Sequence, residues 1–556
     1  MTKIDLKKLH WSFYLFICFC IGRILLLCSL YFLSTPYGDK FVDNWTRFFP
    51  HTIVCDIGVF ALFCLILKLL KLPRASGIFL LFYMLIMGAD DECARWLSSR
   101  LYLHFLRVYI TAKTDFSIIS KIFMDGFWHF CLTISIVLAT SIFYMFIRKY
   151  GSNKFSRATI VAFVIISIIG ISSKWWFTPS GNRWRRIAPI VFVYASEINN
   201  SGKSELNENG ILLLGGNPQA KYPFWHILND DSSYAAFKAN PLENKPDIIV
   251  LVIESLRGWE TDIRDSVICA RIPNMCKFSS HATFFPKAHS VGFSSTEGFL
   301  GIEMGLWSHP ARSLITHYKV LNAASLPDIL GKAGYYRAVF TAAEPSFDNL
   351  LSPFKDWFDY YEYNSKNNED VPLADSFTAY LSKINRNKPL YITWISYTTH
   401  IPFVVPNGKK GYEEAQHYAD SAIGIVLDAV EKYKRNETII VITGDHSYPK
   451  TMQESSIGNI HSGYTHIPLF IQTPSRHNGV IMEKTVSQVD IAPTILNELG
   501  LSVSNCFPGH NLFSDSTYPV LTFRNWECSI YNSEQECEKA MKSWAWILDN
   551  NKLVPP

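Results

Sequence analysis

The amino-acid sequence predicts two parts, an N-terminal α-helical transmembrane bundle of about five spans and an extracytoplasmic α/β domain. Apolar segments concentrate in the first 175 of the 556 residues, and the basic residues between them can all fall on one side of a membrane. From residue 247 onwards, strand-like and helix-like runs alternate. We therefore expect the bundle at 1–175, an interfacial linker at 176–246 and the α/β domain at 247–556.

The predicted bundle rests on five apolar segments that are long enough, or nearly so, to cross a bilayer as helices. These segments are about Trp11–Leu33, Thr52–Leu72, Ala75–Gly88, Phe127–Ile147 and Thr159–Ile171. The third and the fifth are short for a span, so four or six spans also fit the sequence. With five spans, the basic clusters fall on one side, which the positive-inside rule assigns to the cytoplasm. The chain after the fifth span then lies outside the cytoplasm.

The segments that flank the spans carry charge. Ala89–Glu92, between the third and fourth spans, is acidic and is followed by several arginines. It fits a solvated loop at the membrane surface, with internal ion pairs, or a contact with a lipid head group. After the fifth span, Lys174–Phe177 and Arg183–Arg186 combine basic and aromatic side chains, as membrane-interface belts do. We therefore expect the linker to hold the outer domain near the lipid surface.

Composition excludes one class of partner and suggests a compartment. The formal net charge of +4 is small for this length, and no concentrated basic stripe is present, so we expect no nucleic-acid partner.

Outside the membrane half, Cys269 and Cys276 are close in sequence, as are Cys528 and Cys537. Two local disulfides are therefore expected in an oxidising compartment. Cys506 has no such neighbour, and we expect it to be a buried thiol.

Alternating apolar runs in the outer domain predict a largely parallel sheet with helices on both faces. Strands are expected at Asp247–Ile253, Arg337–Thr341, Leu390–Ser396, Thr438–Thr443 and Ile467–Gln472, and helices at Ser325–Gly334, about Glu413–Tyr433 and Asp490–Leu499. The last helix begins with a capping Asp and an early Pro and ends at a Gly.

Two of these strands run directly into side chains of the kind that bind metals. The apolar run Ile248–Ile253 is followed by Glu254, and Thr438–Thr443 is followed, after one Gly, by Asp445 and His446. Ligands of open α/β sheets bind at the carboxyl ends of the strands. A core strand followed by chance by an acid would explain Glu254 alone, but the second strand makes a divalent metal site plausible.

A turn rich in hydroxyl groups lies between these two strands. Ser294, Ser295 and Thr296 stand between Gly292 and Gly298, before an apolar run. Such residues fit an ordinary helix N-cap, and they also fit a helix start whose free backbone N–H groups favour an anion. A hydroxyl nucleophile needs an activating group, and no Gly-x-Ser-x-Gly elbow is present, so metal coordination is the expected activator.

Together these motifs resemble the sulfatase-type branch of the alkaline phosphatase superfamily. The resemblance rests on Glu254, the hydroxyl turn about 40 residues later, Gly444–His446, Tyr464–Phe470 and Val489–Ile495. It implies an alkaline phosphatase/sulfatase-like fold for the outer domain. Within this branch, membrane spans followed by an outer catalytic domain are similar to lipoteichoic acid synthases, phosphoglycerol transferases of membrane-derived glucans, and phosphoethanolamine transferases.

The resemblance also implies a metal site. It makes Glu254, Asp445 and His446 metal ligands, with the nucleophile oxygen as the fourth ligand. The cofactor would be a divalent cation, Zn²⁺ or Mn²⁺, between which a mixed carboxylate and imidazole ligand set does not choose.

The nucleophile implied by the resemblance is Ser295. Aligning Gly298 and Pro310–Ser313 with the family pattern places Ser295 at the nucleophile position, which the family usually fills with Thr. Thr296 and Ser294 are the alternatives.

Two histidines match substrate-side positions of the family. His400 follows a predicted strand, and His461 follows the Asp-His pair at about the expected distance; His466 competes with His461 for that position. The resemblance implies that His400 and His461 bind the substrate.

The activity implied by the resemblance is a phosphotransferase reaction. A phosphoglycerol or phosphoethanolamine group would pass from a membrane phospholipid to an envelope glycan or glycolipid, such as lipid A of lipopolysaccharide or a teichoic-type polymer, through a covalent phospho-Ser/Thr intermediate. The expected location is a bacterial inner (cytoplasmic) membrane, with the catalytic domain on the periplasmic or extracytoplasmic side.

Two alternatives belong to other classes. A sulfatase-like hydrolase of phosphate or sulfate esters is the first, although a sulfate esterase would need Cys or Ser followed by x-Pro-x-Arg, which the segment after Ser295 lacks. The second is an inactive binding or regulatory membrane protein. That alternative predicts lost ligands, whereas Glu254, Asp445 and His446 are all present.

Overall fold

The structure is a computed structural model, and its described residues form two compact units, the first ending at residue 199 and the second beginning at Asn200. The described residues are 10–32, 45–97, 101, 103, 127–152, 156–177, 189–200, 204–225, 245–292, 294–310, 314–316, 318, 321, 323–345, 350–363, 369–384, 387–401, 403–434, 437–448, 462–476, 478–501, 503–515, 517–524, 527–531, 533 and 537–555.

The first unit is α-helical. Its helices are α1 (Trp11–Phe32), α2 (Trp45–Leu69), α3 (Ser76–Leu97), α4 (Phe127–Ile147), α5 (Arg157–Phe177) and α6 (Ile190–Asn200). All five segments predicted to span the membrane are helical. By length and composition, three described stretches suffice to cross a bilayer, Trp11–Ser29, Thr52–Leu69 and Phe127–Tyr150, and Arg157–Ser172 is a shorter apolar helix. The count of about five spans therefore stays a prediction.

The acidic stretch before residue 93 is not a solvated loop, so that interpretation is wrong. Helix α3 continues through Asp90, Asp91 and Glu92, and all three side chains are buried. The Arg23 guanidinium donates hydrogen bonds to Asp91 and, at 2.7 Å, to Asp56. Asp90 accepts from the backbone N–H of Leu101 at 2.8 Å, and Glu92 accepts from the Thr133 hydroxyl at 2.6 Å. Each buried carboxylate thus has a hydrogen-bond donor, which offsets the cost of its burial. Contact of Ala89–Glu92 with a lipid head group stays a prediction. In the linker, Arg183–Arg186 lies outside the described residues.

The second unit is built on a mostly parallel sheet. Its strands are β1 (Asp247–Ile253), β2 (Thr283–His289), β3 (Tyr336–Thr341), β4 (Tyr360–Tyr363), β5 (Leu390–Ile395), β6 (Thr438–Gly444), β7 (His466–Gln472), β8 (Val480–Ile481) and β9 (Thr485–Ser487). The strand order is β4-β3-β5-β1-β6-β7-β2-β8, and β9 also pairs with β2. Strand β7 is antiparallel to both of its neighbours, β6 and β2. A separate antiparallel hairpin joins β10 (Val520–Arg524) to β11 (Glu527–Tyr531).

Helices cover both faces of this sheet. They are α7 (Glu208–Leu213), α8 (Ser266–Arg271), α9 (Pro273–Ser279), α10 (Ser295–Met304), α11 (Leu326–Lys332), α12 (Leu351–Trp357), α13 (Asp370–Lys383), α14 (Tyr412–Tyr433), α15 (Ser462–Thr465), α16 (Ile491–Glu498) and α17 (Glu538–Asp549). The predicted strands and helices of this unit are confirmed, with ends that differ by at most two residues.

Strand β1 separates two hydrophobic cores. Ile248 and Val250 pack into one core, whereas Ile249 and Leu251 pack into the other. Because side chains alternate along a strand, a strand buried on both faces must be apolar at every position. This explains the unbroken apolar run that precedes Glu254.

Both expected disulfides are present, Cys269–Cys276 and Cys528–Cys537. Cys506 is a buried free thiol, as predicted, and burial raises the pKa of Cys506 to about 12.

Candidate active site

The register of two neighbouring strands brings the predicted metal ligands together. Strands β1 and β6 are parallel, and Ile253 pairs with Gly444 at their carboxyl ends. The residues that follow, Glu254 and Asp445, therefore leave the sheet side by side. The backbone N–H of Asp445 donates to the carbonyl oxygen of Ile253 at 3.2 Å, which extends the pairing to the first ligand position.

Glu254, Asp445 and His446 form one buried cluster. Their potential ligand atoms all lie within 4.8 Å of one another. His446 Nε2 is 3.6 Å from Glu254 Oε1 and 3.6 Å from Asp445 Oδ2. Two carboxylates and an imidazole at these separations suit a divalent cation such as Zn²⁺ or Mn²⁺.

Hydrogen bonds orient the imidazole and one carboxylate for metal binding. His446 Nδ1 donates to the Ser447 carbonyl oxygen at 2.9 Å, so in the neutral ring Nε2 faces the cluster with its lone pair. Asp445 Oδ1 accepts from the backbone N–H groups of Ser255, at 2.8 Å, and His446, at 2.6 Å.

A buried oxygen at this site lacks a donor. Asp445 Oδ2 is buried and has no hydrogen-bond partner among the described residues. A buried carboxylate oxygen without a donor is costly unless a cation or a proton meets it. The cluster therefore fits a metal ion.

Burial of the two carboxyl groups also favours the binding of a cation by the cluster. It raises the pKa of Asp445 to about 6, although the backbone N–H groups of His446 and Ser255 lower it in part. Burial is also the largest cause of the raised pKa of Glu254, and the negative charge of Asp445 adds to it. Two adjacent carboxyl groups of this kind are stabilised by a cation between them.

Helix α10 brings Ser295 to the cluster. Ser295 Oγ donates to Glu254 Oε2 at 2.8 Å and lies 3.5 Å from His446 Nε2. The helix can approach because Gly298 has no side chain: a Cβ there would lie 2.0 Å from the carbonyl oxygen of Asp445.

The alternative hydroxyls are placed differently. The side chain of Ser294 caps α10 by accepting from the backbone N–H of Glu297 at 3.5 Å, and Ser294 itself has a left-handed φ of 144°. Thr296 is buried, whereas Ser295 is partly exposed. Of the three hydroxyls, the described contacts bring Ser295 to the metal-ligand cluster.

The histidines divide between the site and the sheet. His400 stacks on Tyr397, and its charge would lower the pKa of Glu254, so it lies within electrostatic range of the cluster. His466 Nε2 donates to the carbonyl oxygen of Pro286 at 2.7 Å, which ties it to strand β2. His461 lies outside the described residues.

The loop before His400 is held by residues that were not predicted. Asp370, at the start of α13, accepts from the backbone N–H groups of Tyr397, at 2.6 Å, and Thr398, at 3.2 Å. Thr399 Oγ1 donates to the carbonyl oxygen of Glu254. The Asp370 bonds join the loop to α13, and the Thr399 bond joins it to the end of β1. Because most of these partners are backbone atoms, no motif spacing could indicate them.

Gln488 is a further contact that was not predicted. Its Nε2 donates to the carbonyl oxygens of Gly444 and Asp445, both at 2.7 Å, and its Oε1 accepts from the backbone N–H of Val291 at 3.0 Å. Its position directly before the Val489–Ile495 motif is the one signal that the sequence offers.

Known proteins are similar to this chain in sequence. A sulfatase family model matches residues 246–501. Lipoteichoic acid synthase 2 of Bacillus subtilis (strain 168) is 23% identical over 317 residues, and lipoteichoic acid synthase of Staphylococcus aureus (strain USA300) is 26% identical over 322 residues; each alignment covers 50% of this chain and 49% of the relative. The chain thus spans about half the length of the curated relatives that it matches.

A solved structure shows the same fold. A crystal structure of a protein in the alkaline phosphatase superfamily from Vibrio parahaemolyticus superposes with a TM-score of 0.51 at 16% sequence identity, over 64% of this chain and 99% of that one. Residues 246–501 are thus similar to sulfatases, half of the chain is similar to lipoteichoic acid synthases, and the superposition shows the fold of this alkaline phosphatase superfamily structure.

Proposed function

We propose that this protein transfers a phosphoglycerol or phosphoethanolamine group from a membrane phospholipid to an envelope glycan or glycolipid. One observation carries the proposal: the Ser295 hydroxyl lies 2.8 Å from Glu254 and 3.5 Å from His446, at the edge of a buried cluster suited to a divalent cation. A hydroxyl beside such a cluster is the arrangement that covalent phosphoryl transfer requires.

In the proposed first half-reaction, Ser295 Oγ attacks the phosphorus of the lipid head group. The hydroxyl proton passes to Glu254 Oε2, the oxygen it already contacts, and the bond from phosphorus to the glyceride oxygen breaks. The glyceride oxygen then takes up this proton, and diacylglycerol leaves. In the second half-reaction, a hydroxyl of the acceptor attacks the phosphorus bound to Ser295. The bond from phosphorus to Ser295 Oγ breaks, and the proton of the acceptor hydroxyl passes by way of Glu254 to Ser295 Oγ. The head group is then joined to the acceptor.

The side chains of the cluster would hold Zn²⁺ or Mn²⁺ through Glu254, Asp445, His446 and Ser295. A cation bound there would favour ionisation of the serine hydroxyl and offset the charge of the phosphoryl oxygens. His400 lies within electrostatic range of Glu254 and would stabilise negative charge on the transferred group. We propose the same role for His461.

The donor class follows from the expected location. Apolar helices precede the sulfatase domain, and the relatives are lipoteichoic acid synthases. We propose a bacterial cytoplasmic membrane with the sulfatase domain on its outer side, where nucleotide donors are scarce and phospholipids are abundant.

Intact mass spectrometry tests the proposal. The full-length protein in detergent is incubated with phosphatidylglycerol or phosphatidylethanolamine, and diacylglycerol release is measured in parallel. We expect a mass increase of one phosphoglycerol or one phosphoethanolamine group in the wild type, and neither adduct nor diacylglycerol with Ser295→Ala.

Variants of the neighbouring hydroxyls complete the test. Thr296→Ala should keep the adduct, because the side chain of Thr296 is buried and the described contacts with Glu254 and His446 are made by Ser295. An adduct that persists in Ser295→Ala and disappears in Thr296→Ala would make Thr296 the nucleophile. Free phosphorylated head group without any adduct in the presence of an acceptor would favour hydrolysis instead.

A further inference from the structure

The side chain of Gln488 connects the two segments that form the candidate site. It is 1% exposed and lies in a short 3₁₀ turn, Gln488–Asp490, between β9 and α16. Its two donor bonds go to the carbonyl oxygens of Gly444 and Asp445, and its acceptor bond comes from Val291. Carbonyl groups only accept and backbone N–H groups only donate, so these partners determine the orientation of the amide.

The bonded segments belong to the two parts of the candidate site, the metal-ligand cluster and the serine. Gly444 and Asp445 are the end of β6, which presents the metal ligands, and Val291 lies in the turn that leads into α10 and Ser295. The distance from Ser295 Oγ to the ligand atoms therefore depends on how these two backbone segments are spaced. Gln488 contacts both of them with a single planar group.

The packing of α10 against Asp445 further restricts the distance between these two backbone segments. Gly298 of α10 lies directly against the carbonyl oxygen of Asp445, so that oxygen is held between a helix and the Gln488 amide. The turn that carries Gln488 is itself fixed by Asp490, which accepts from the backbone N–H of Ser487 and from the Tyr518 hydroxyl, both at 2.8 Å. A fixed side chain on a fixed turn can set a distance elsewhere.

We propose that Gln488 is a positioning residue that sets the distance between Ser295 and the ligands Asp445 and His446. The inference rests on the proposed function and adds a residue that touches neither substrate nor metal. Without the amide, two buried carbonyl oxygens lose a donor, and the end of β6 and the Val291 turn can move relative to each other. Both metal affinity and the rate of the chemical step then fall.

The test compares Gln488→Met with a matched control. Methionine keeps the approximate volume and removes the three hydrogen bonds. Gln416→Met is the control, because Gln416 is also fully buried and donates to a backbone carbonyl, that of Glu260, at 2.8 Å. Full-length protein in detergent is stripped with a chelator, titrated with Mn²⁺, and assayed for diacylglycerol release and melting temperature.

We expect Gln488→Met to bind Mn²⁺ about 10- to 100-fold more weakly, as loss of a group that orients metal ligands does. Its kcat should fall by a similar factor while KM for the lipid stays within about twofold, since the donor-binding surface is unchanged. Gln416→Met removes one hydrogen bond, so it should lower the melting temperature less and keep the affinity and kcat of the wild type. Equal metal affinity and kcat in Gln488→Met and wild type would overturn the inference.

A second variant covers a failure of Gln488→Met to fold. Gln488→Asn keeps a planar amide but is one methylene shorter, so it cannot reach both segments at once; it should disturb folding less than Met and still weaken Mn²⁺ binding. Wild type that binds Mn²⁺ but releases no diacylglycerol would refute the proposed function alone. The Mn²⁺ affinities would still decide the role of Gln488: wild-type affinity in both variants would refute that role alone.

Discussion

Ser295 Oγ donates a hydrogen bond of 2.8 Å to Glu254 Oε2, although 41 positions separate the two residues in the chain. The contact joins the first turn of α10 to the carboxyl end of β1. A hydroxyl and a carboxylate from different elements meet only if strand register, helix packing and turn geometry agree.

Loss of one ligand charge should abolish metal binding. Asp445→Asn keeps the shape of the side chain but removes the charge that a divalent cation needs. We expect less than about a tenth of the wild-type zinc or manganese in the purified protein, measured by inductively coupled plasma mass spectrometry.

The control for this prediction is Asp420→Asn. Asp420 is also buried and accepts from backbone N–H groups, those of Asn274 and Met275, each at 2.9 Å. It should retain the wild-type metal content. Full metal content in Asp445→Asn would exclude Asp445 as a ligand.

A methyl group on Gly298 should displace the nucleophile. In Gly298→Ala the new Cβ would lie 2.0 Å from the backbone oxygen of Asp445, so the helix, the strand end or both must shift. Displacement by about 1 Å can cost about 100-fold in rate, and overpacking costs about 1–3 kcal/mol of stability. Diacylglycerol release should fall accordingly.

Gly331→Ala is the matched helical control. Its nearest neighbour is the end of the flexible Arg337 side chain, which can move away, so activity should be unchanged. Wild-type activity in Gly298→Ala would show that the contact between α10 and Asp445 does not determine the position of Ser295.

The buried Glu303 should make stability depend on pH. Glu303 lies on α10 and accepts from the hydroxyls of Tyr391 and Thr393, both at 2.6 Å. Burial raises the pKa of Glu303 from 4.5 to about 7, because the two hydrogen bonds offset burial only in part. The folded protein therefore holds this proton more tightly than the unfolded chain, and the free energy of unfolding falls as pH rises from about 4.5 to about 7.

Glu303→Gln removes this titration. Relative to wild type, the variant should gain up to about 3 kcal/mol between pH 4.5 and pH 8, measured from denaturant unfolding of the full-length protein in detergent. The exposed substitution Glu414→Gln should leave the pH dependence unchanged. A difference between Glu303→Gln and wild type that is constant over this pH range would contradict the prediction.

The sequence predicts the central strands well, because β1, β5 and β6 are buried on both faces and consist mostly of apolar, aromatic and β-branched residues. Strand β2 does not follow this rule: it contains Pro286 and an exposed Lys287 and pairs antiparallel with β7, so its pattern does not stand out. The burial of the acids of α3 likewise does not follow from the sequence, because Arg23, the partner of Asp91, lies 68 residues away in the chain. A charge pattern in the sequence shows only which charges are near one another along the chain, whereas Arg23 belongs to another helix.

The site shows the same division. Glu254, Asp445 and His446 follow predicted strands directly, so their convergence could be expected from the register of a parallel sheet. Gln488 and Asp370 bind mainly backbone groups. Every residue carries such groups, so the spacing of motifs does not reveal these two side chains.

The position of β1 between β5 and β6 has a consequence for how the site moves. The amide hydrogens of a strand paired on both sides and packed between two cores exchange with solvent only when most of the unit opens. Glu254 and Asp445 therefore sit on the slowest-opening part of the unit. Under the proposed function, the binding of a lipid or an acceptor would therefore leave the backbone at Glu254 and Asp445 in place.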